Sequence, residues 1–268
     1  MQIVVAVILA ALVAFGASRA LKHESDITPA LVTPAMDVHA EFSGDLSARM
    51  YRVVHNALAS NGDPHPKLIA LTFDDGPYPM FTPLLLDELR SMHVPATFFL
   101  IGRDAEQWPD ITRRIESDGN EIADHTFSHP NLDQESADQV RDEVLHGRDV
   151  LWSIAHDPSI RSLMRPPHGR YTQATLRTVQ GLGYQVVLWT DDSGDWRTLT
   201  PEQIERDMLR HASAPDIVLL HSGKLATIEA LPDVVAHFRA AGYEFVTAGE
   251  LLRRVAPQAI NHPHRMSV

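Results

Sequence analysis

The sequence predicts an α/β fold with a parallel sheet drawn into a barrel. Three observations carry this. Seven short apolar runs, Leu68–Phe73, Ala96–Ile101, Glu121–Asp124, Leu163–Arg165, Gln185–Thr190, Ile217–Leu220 and Tyr243–Thr247, alternate with helical stretches, the pattern of strand–helix–strand units. Helix boundaries are marked by Thr82-Pro83 and Thr200-Pro201, read as an N-cap followed by a first-turn proline, the second with Gln203 completing a capping box, and by Gly119, Gly183 and Gly242 as stops. Seven such units suit closure better than an open sheet, and 268 residues that are 44% hydrophobic are enough for one large domain or two small ones.

In chain order, Ile3 to Gly16 is a continuous apolar run followed by Ala17-Ser18-Arg19-Ala20. It is shorter than the roughly 20 residues of a membrane span and reads as a secretory signal over residues 1–20. An uncleaved N-terminal anchor, the only membrane association the sequence suggests, is the rival. Either one puts the remainder outside the cytoplasm, in a secreted, periplasmic or cell-envelope setting. Residues 21–62 read as a linker, with Pro29 and Pro34, and an outer helix carrying Leu46, Met50, Val53, Val54, Ala57 and Leu58 at helical spacing. Residues 63–256 hold the repeating units, and 257–268 form a tail whose His262 and His264 are unrelated to the site.

A net charge of −12 argues against a nucleic-acid partner. Cysteine is absent, so disulfides, thiolate metal sites and a cysteine nucleophile are excluded, and a metal would have to be held by histidine and carboxylate.

The first run ends in Asp74-Asp75-Gly76-Pro77, two adjacent anions at a strand end where the chain must turn. Such a pair needs a cation or a shared proton, with one carboxylate as metal ligand and the other as general base. Ordinary turn chemistry is the alternative. The third run leads into His125-Thr126-Phe127-Ser128-His129, whose imidazoles meet on one face in a helical turn or tight loop. Asp75, His125 and His129 make a three-ligand set with an open position for water, against the alternative of two unrelated loop histidines.

After the fourth run comes Arg165-Pro166-Pro167-His168-Gly169. Arg165 stays charged and holds Asp74 ionised, unless it is a purely structural ion pair; Gly169 allows the backbone close to a ligand. Asp192-Ser193-Gly194-Asp195-Trp196 follows the fifth run. Trp196 suits stacking on a sugar, with a buried core tryptophan as its rival. The sixth run delivers His221 to a strand end, placed for proton transfer and held protonated by Asp195, or simply a structural histidine.

Taken together and in order, Thr72-Phe73-Asp74-Asp75-Gly76-Pro77, His125 to His129, Arg165 to Gly169, Asp192 to Trp196 and Ile217-Val218-Leu219-Leu220-His221 resemble the five motifs of the polysaccharide deacetylases of carbohydrate esterase family 4. The resemblance runs over roughly residues 67 to 252. It implies a distorted (β/α)7 barrel, with a metal site at the C-terminal strand ends, that removes N- or O-acetyl groups from a glycan with a divalent metal, usually zinc. Carried over, Asp74 is the base, Asp75, His125 and His129 hold the metal, Arg165 tethers Asp74, and Asp195 tunes the acid His221. Trp196 and Leu219 line the acetyl-methyl pocket, and the His168 N–H helps stabilise the oxyanion.

His168 stands where the family commonly has tyrosine, and Ser222-Gly223 where many relatives have an acidic residue. Peptidoglycan, chitin-type oligomers, a biofilm glycan and acetyl-xylan remain open as substrates, and cobalt, manganese or nickel as metals. The rivals are a hydrolase of small amides or imides on the same scaffold, a catalytically silent glycan-binding protein, and a structural wall-associated protein.

Overall fold

A computed structural model describes residues 67–212 and 214–255. The leader, the linker with its outer helix, and the tail lie outside the described residues. Among the described residues eight parallel strands form one sheet: β1 (Lys67–Asp74), β2 (Thr97–Leu100), β3 (Glu121–Asp124), β4 (Leu163–Met164), β5 (Gln185–Val186), β6 (Asp191–Asp192), β7 (Asp216–His221) and β8 (Tyr243–Phe245). Between and after them run α1 (Phe81–Ser91), α2 (Gly102–Gln107), α3 (Pro109–Ser117), α4 (Ala137–Ile154), α5 (Gln173–Gly181), α6 (Pro201–His211), α7 (Leu225–Ala240) and α8 (Ala248–Val255).

The order across the sheet is β5-β4-β3-β2-β1-β7-β6. On β1, β7 pairs along one edge, while the other edge is shared: β8 takes Lys67–Ile69 and β2 takes Thr72–Asp74. The two ends of the order, β5 and β6, belong to one stretch of chain. Val187 still donates to Met164 of β4, and Thr190 already donates to Ile217 of β7. The run expected as a single strand, Gln185–Thr190, is therefore split: its start joins one half of the sheet, its end leads into the other, and the chain itself closes the ring. This is the distorted seven-position barrel that the alternation suggested.

Side-chain alternation on β1 sorts the core. Ile69, Leu71 and Phe73 face the helices and pack with Leu85, Leu86, Leu89, Ile115 and Val234, while Leu68 and Ala70 face the barrel interior with Phe99, Ala123, Val187 and Ile217. By the same parity Thr72 and Asp74 point inward, as do Leu219 and His221 on β7. Leu251, Leu252 and Val255 of α8 complete the interior cluster. The first turn of α8 is tied down by Ala248 N–H donating to Thr97 Oγ1 at 2.8 Å and Gly249 N–H donating to Glu121 Oε2 at 2.9 Å.

Gly119, Gly183 and Gly242 stop helices as read, with φ of 87°, 91° and 83°. Thr200 caps α6, and the Gln203 side chain accepts its N–H at 2.8 Å. Thr82-Pro83 is corrected: α1 begins two residues earlier, at Phe81 with Met80 as its N-cap, and buried Thr82 uses its hydroxyl to accept the Tyr78 N–H at 2.8 Å. A local hydrogen bond to the loop outcompetes the capping geometry.

Candidate active site

Apart from Leu219, which lies within β7, the candidate site residues sit at or past the C-terminal end of a strand. Asp74 ends β1 and lies opposite His221, the last residue of β7, in the strand register. Asp75 follows with φ 67°, which swings its carboxylate away from the outward direction that strand alternation would give it. Asp75 Oδ1 lies 3.3 Å from His129 Nε2 and 3.8 Å from His125 Nε2. One donor atom from each of these three residues lies within 4.8 Å of the others. Asp74 Oδ2 is 3.8 Å from His125 Nε2.

The histidine loop is not helical. Thr126 and His129 have φ of 68° and 63°, and Thr126 N–H donates to Asp124 Oδ1 at 2.7 Å. Asp75, Thr126, His129 and His168 account for all but one (His93) of the non-glycine residues with positive φ among the described residues. Backbone held in this sparsely populated region collects at sites whose surroundings over-determine it. His125 is buried, and its Nδ1 lies 2.7 Å from the Arg165 carbonyl. A backbone carbonyl only accepts, so Nδ1 carries the hydrogen and Nε2 offers its lone pair toward Asp75. Burial, reinforced by neighbouring His129, pushes the His125 ring down to about 3, and burial also lowers His129. Two neutral imidazoles and a carboxylate, with lone pairs convergent, are what a divalent ion requires. The donor set fits one.

Arg165 is fully buried and spends its guanidinium on four acceptors: Asp74 Oδ1 at 2.6 Å, Thr72 Oγ1 at 2.9 Å, and the carbonyls of Val187 at 3.0 Å and Leu188 at 3.3 Å. It also packs over the Phe99 ring at 4.1 Å. Burial raises the Asp74 carboxyl above its ordinary value, opposed by the Arg165 charge and hydrogen bond. One Asp74 oxygen is thus committed to Arg165, and the other faces the histidines.

On the far side, Asp195 Oδ1 lies 2.7 Å from His221 Nδ1, while Asp195 Oδ2 accepts the His221 N–H at 2.8 Å and the Thr227 hydroxyl at 2.8 Å. Burial opposes charge on the His221 ring, but the hydrogen bond and charge of Asp195, then the charges of Asp74 and Asp75, raise its pKa overall.

Trp196 is 52% exposed, which removes the core-tryptophan alternative; its Nε1–H points at Asp192 Oδ1, 3.3 Å away. Leu219 is buried on β7 beside Thr72. His168 is exposed at φ 57°, its ring edge-on to His129 at 4.5 Å between centroids, and its N–H makes no hydrogen bond among the described residues. At Gly169 a Cβ would meet Trp189 Cη2 at 2.7 Å, so an indole packs directly against this backbone. The sequence assigns no task to Thr72, Thr227 or Ser222; the Ser222 hydroxyl donates to the carbonyls of Asp74 and Asp75 at 3.3 and 3.2 Å. Tyr78 was missed as well: burial, with Asp75 and Asp104 nearby, pushes its phenol up to about 12.

With this geometry in place, the likeness to known proteins is specific. Residues 61–187 match the family described as Polysaccharide deacetylase. A peptidoglycan-N-acetylglucosamine deacetylase of Bacillus cereus is 37% identical over 192 residues, which cover 70% of this chain and 89% of that one. The chain belongs to the polysaccharide deacetylase family. A chitooligosaccharide deacetylase of Azorhizobium caulinodans, another similar protein, is 36% identical over 155 residues, 58% of this chain and 73% of that one. Among solved structures, the Bc1960 peptidoglycan N-acetylglucosamine deacetylase superposes with a TM-score of 0.67 at 32% identity, covering 71% of this chain and 90% of that one. The barrel is thus the fold of this family as well as the fold the alternation suggested.

Proposed function

We propose that residues 63–256 form a metal-dependent deacetylase that hydrolyses acetamido groups of an N-acetylated glycan, releasing acetate. The observation that carries the proposal is the separation of tasks in one cleft. Asp75, His125 and His129 converge as donors, Asp74 beside them has one oxygen tied to Arg165, and His221 faces Asp74 from the neighbouring strand. Asp75, His125 and His129 would hold the ion, most simply zinc. Bound there, a divalent ion supplies Lewis acidity, making a water easier to deprotonate and an acetyl carbonyl more electrophilic.

The chain's own groups do the rest. Asp74 Oδ2 takes a proton from the attacking water, its partner oxygen being held by Arg165. The free His168 N–H donates to the oxyanion that develops as the water oxygen bonds to the carbonyl carbon, an interaction whose loss typically costs about 10²–10³ in rate. His221, with Nδ1 on Asp195, delivers the Nε2 proton to the departing nitrogen; an amine leaves poorly without one. Acetate and a free amino sugar result. Leu219 and the exposed indole of Trp196 bound the space for the acetyl methyl.

The relatives' substrates favour peptidoglycan N-acetylglucosamine or chito-oligomers. The apolar leader over residues 1–20, cleaved or retained, would carry the enzyme to the cell envelope. Among the described residues no helix is long and apolar enough to cross a membrane.

The test is acetate release from peptidoglycan, acetylated chito-oligomers, acetyl-xylan and small amides, before chelation, after it, and after metal is restored. Glycan turnover that disappears with chelation and returns with metal is the expected result. Turnover confined to small amides, or indifferent to chelation, refutes the proposal.

A further inference from the structure

The loop after β1 places a tyrosine to which the mechanism above gives no task. The ring of Tyr78 occupies a slot created by two glycines on loops from different strands. A Cβ on Gly223, two residues past His221, would come 2.7 Å from Tyr78 Cε2, 2.9 Å from Cδ2 and 3.2 Å from Cζ. A Cβ on Gly76, next to Asp75, would come 3.2 Å from Tyr78 Cδ2. The ring therefore touches the loops after β1 and β7, beside the residue next to Asp75 on one and the residue two past His221 on the other. The Tyr78 N–H donates to Thr82 Oγ1 at 2.8 Å, which anchors the loop at the start of α1.

The phenol end is a different matter. Tyr78 is only partly buried, and its hydroxyl has no hydrogen-bond partner among the described residues. That oxygen is not among the buried side-chain atoms lacking a partner, so an outside group can reach it. A phenylalanine would fill the glycine slot equally well, so packing does not account for the oxygen.

We propose that Tyr78 is a substrate-contact residue, its hydroxyl donating a hydrogen bond to a hydroxyl oxygen of the sugar whose acetamido group is removed, and that the missing side chain at Gly223 lets the ring stand there. This rests on the deacetylase reading above, and it adds a specificity determinant outside the five motifs.

The experiment measures steady-state acetate release by the metal-loaded full chain on N-acetylated chito-oligomers. The proteins are wild type, Tyr78→Phe, Tyr78→Ala, Gly223→Ala and the double variant Tyr78→Ala/Gly223→Ala. Loss of one neutral hydrogen bond should raise KM by about threefold to tenfold in Tyr78→Phe, with kcat within about twofold. Gly223→Ala should raise KM comparably, because its new methyl displaces the ring. In the Tyr78→Ala background there is no ring to displace, so Gly223→Ala should change KM by less than about twofold. A Tyr78→Phe KM equal to that of wild type, or a Gly223→Ala effect equally large in both backgrounds, overturns the inference alone. A wild type that releases no acetate from any acetylated glycan refutes the deacetylase reading, and this inference with it.

Discussion

Replacing Asp195 by asparagine removes one charge and one acceptor while nearly preserving shape. The carboxylate receives three hydrogen bonds, from His221 Nδ1 at 2.7 Å, the His221 N–H at 2.8 Å and the Thr227 hydroxyl at 2.8 Å. An asparagine oxygen in the Oδ2 position keeps the last two, and its NH₂ then faces His221 Nδ1. Two donors cannot bond, so the imidazole must give up its Nδ1 hydrogen and become neutral, which makes it a poor acid. A hydrogen bond to a charged group is worth about 1.5–3 kcal/mol, which corresponds to a fall in kcat of roughly tenfold to a hundredfold or somewhat more.

The pH profile moves in a definite direction. Burial opposes the charge on His221, and Asp195 is the leading influence that overcomes it to raise the pKa. Without that carboxylate the pKa falls, and the imidazolium is lost at lower pH as the solution is made more alkaline. The descending alkaline limb of kcat should therefore shift to lower pH in Asp195→Asn, with metal content by elemental analysis unchanged. A variant whose alkaline limb stays in place, with kcat within about threefold of wild type, would refute the assignment of His221 as the acid.

Asp75→Asn should bind metal substantially more weakly, read by elemental analysis after dialysis, because a neutral amide replaces the one anionic donor of the set. Chelation of the wild type should abolish acetate release yet leave far-UV circular dichroism nearly unchanged, because the apolar clusters packing the barrel do not include the donors. Arg165→Leu would leave the buried Asp74 charge uncompensated and should cost about 3–5 kcal/mol of stability, visible as a lower denaturation midpoint. Gly169→Ala sets a methyl 2.7 Å from Trp189 Cη2 at a residue with φ 65°, and should cost about 1–3 kcal/mol in the same assay.

Strands β1, β2, β3, β4 and β7 were legible because each is a short run buried almost throughout on both faces, and the glycine stops were legible because a left-handed helix end favours one residue type. The site was legible for a related reason: strands deliver their last residues to one rim, so Asp74, His125, Arg165 and His221 had to be neighbours once the strands were parallel. What stayed hidden depends on partners remote in the chain. Gln185–Thr190 reads as one strand, and only its pairing with β4 at one end and β7 at the other splits it. Gly169 gives no sign that Trp189 lies against it, and Thr72 and Thr227 look like any threonines in an apolar setting until Arg165 and Asp195 arrive beside them. Tyr78 follows the Asp-Asp-Gly-Pro stretch directly, yet nothing local says that Gly223, nearly a hundred and fifty positions onward, makes room for it.

The seam where the barrel shuts has a bearing on how the enzyme would fail. Val187 and Leu188 lie in that seam, and their carbonyls are two of the acceptors that hold the Arg165 guanidinium against Asp74. Loosening the joint between the two halves of the ring would release the arginine, and with it the orientation of the base, while most of the strands remained paired. Heat or denaturant should then silence the protein before it visibly unfolds, with hydrolytic power lost at the joint ahead of the bulk of the scaffold.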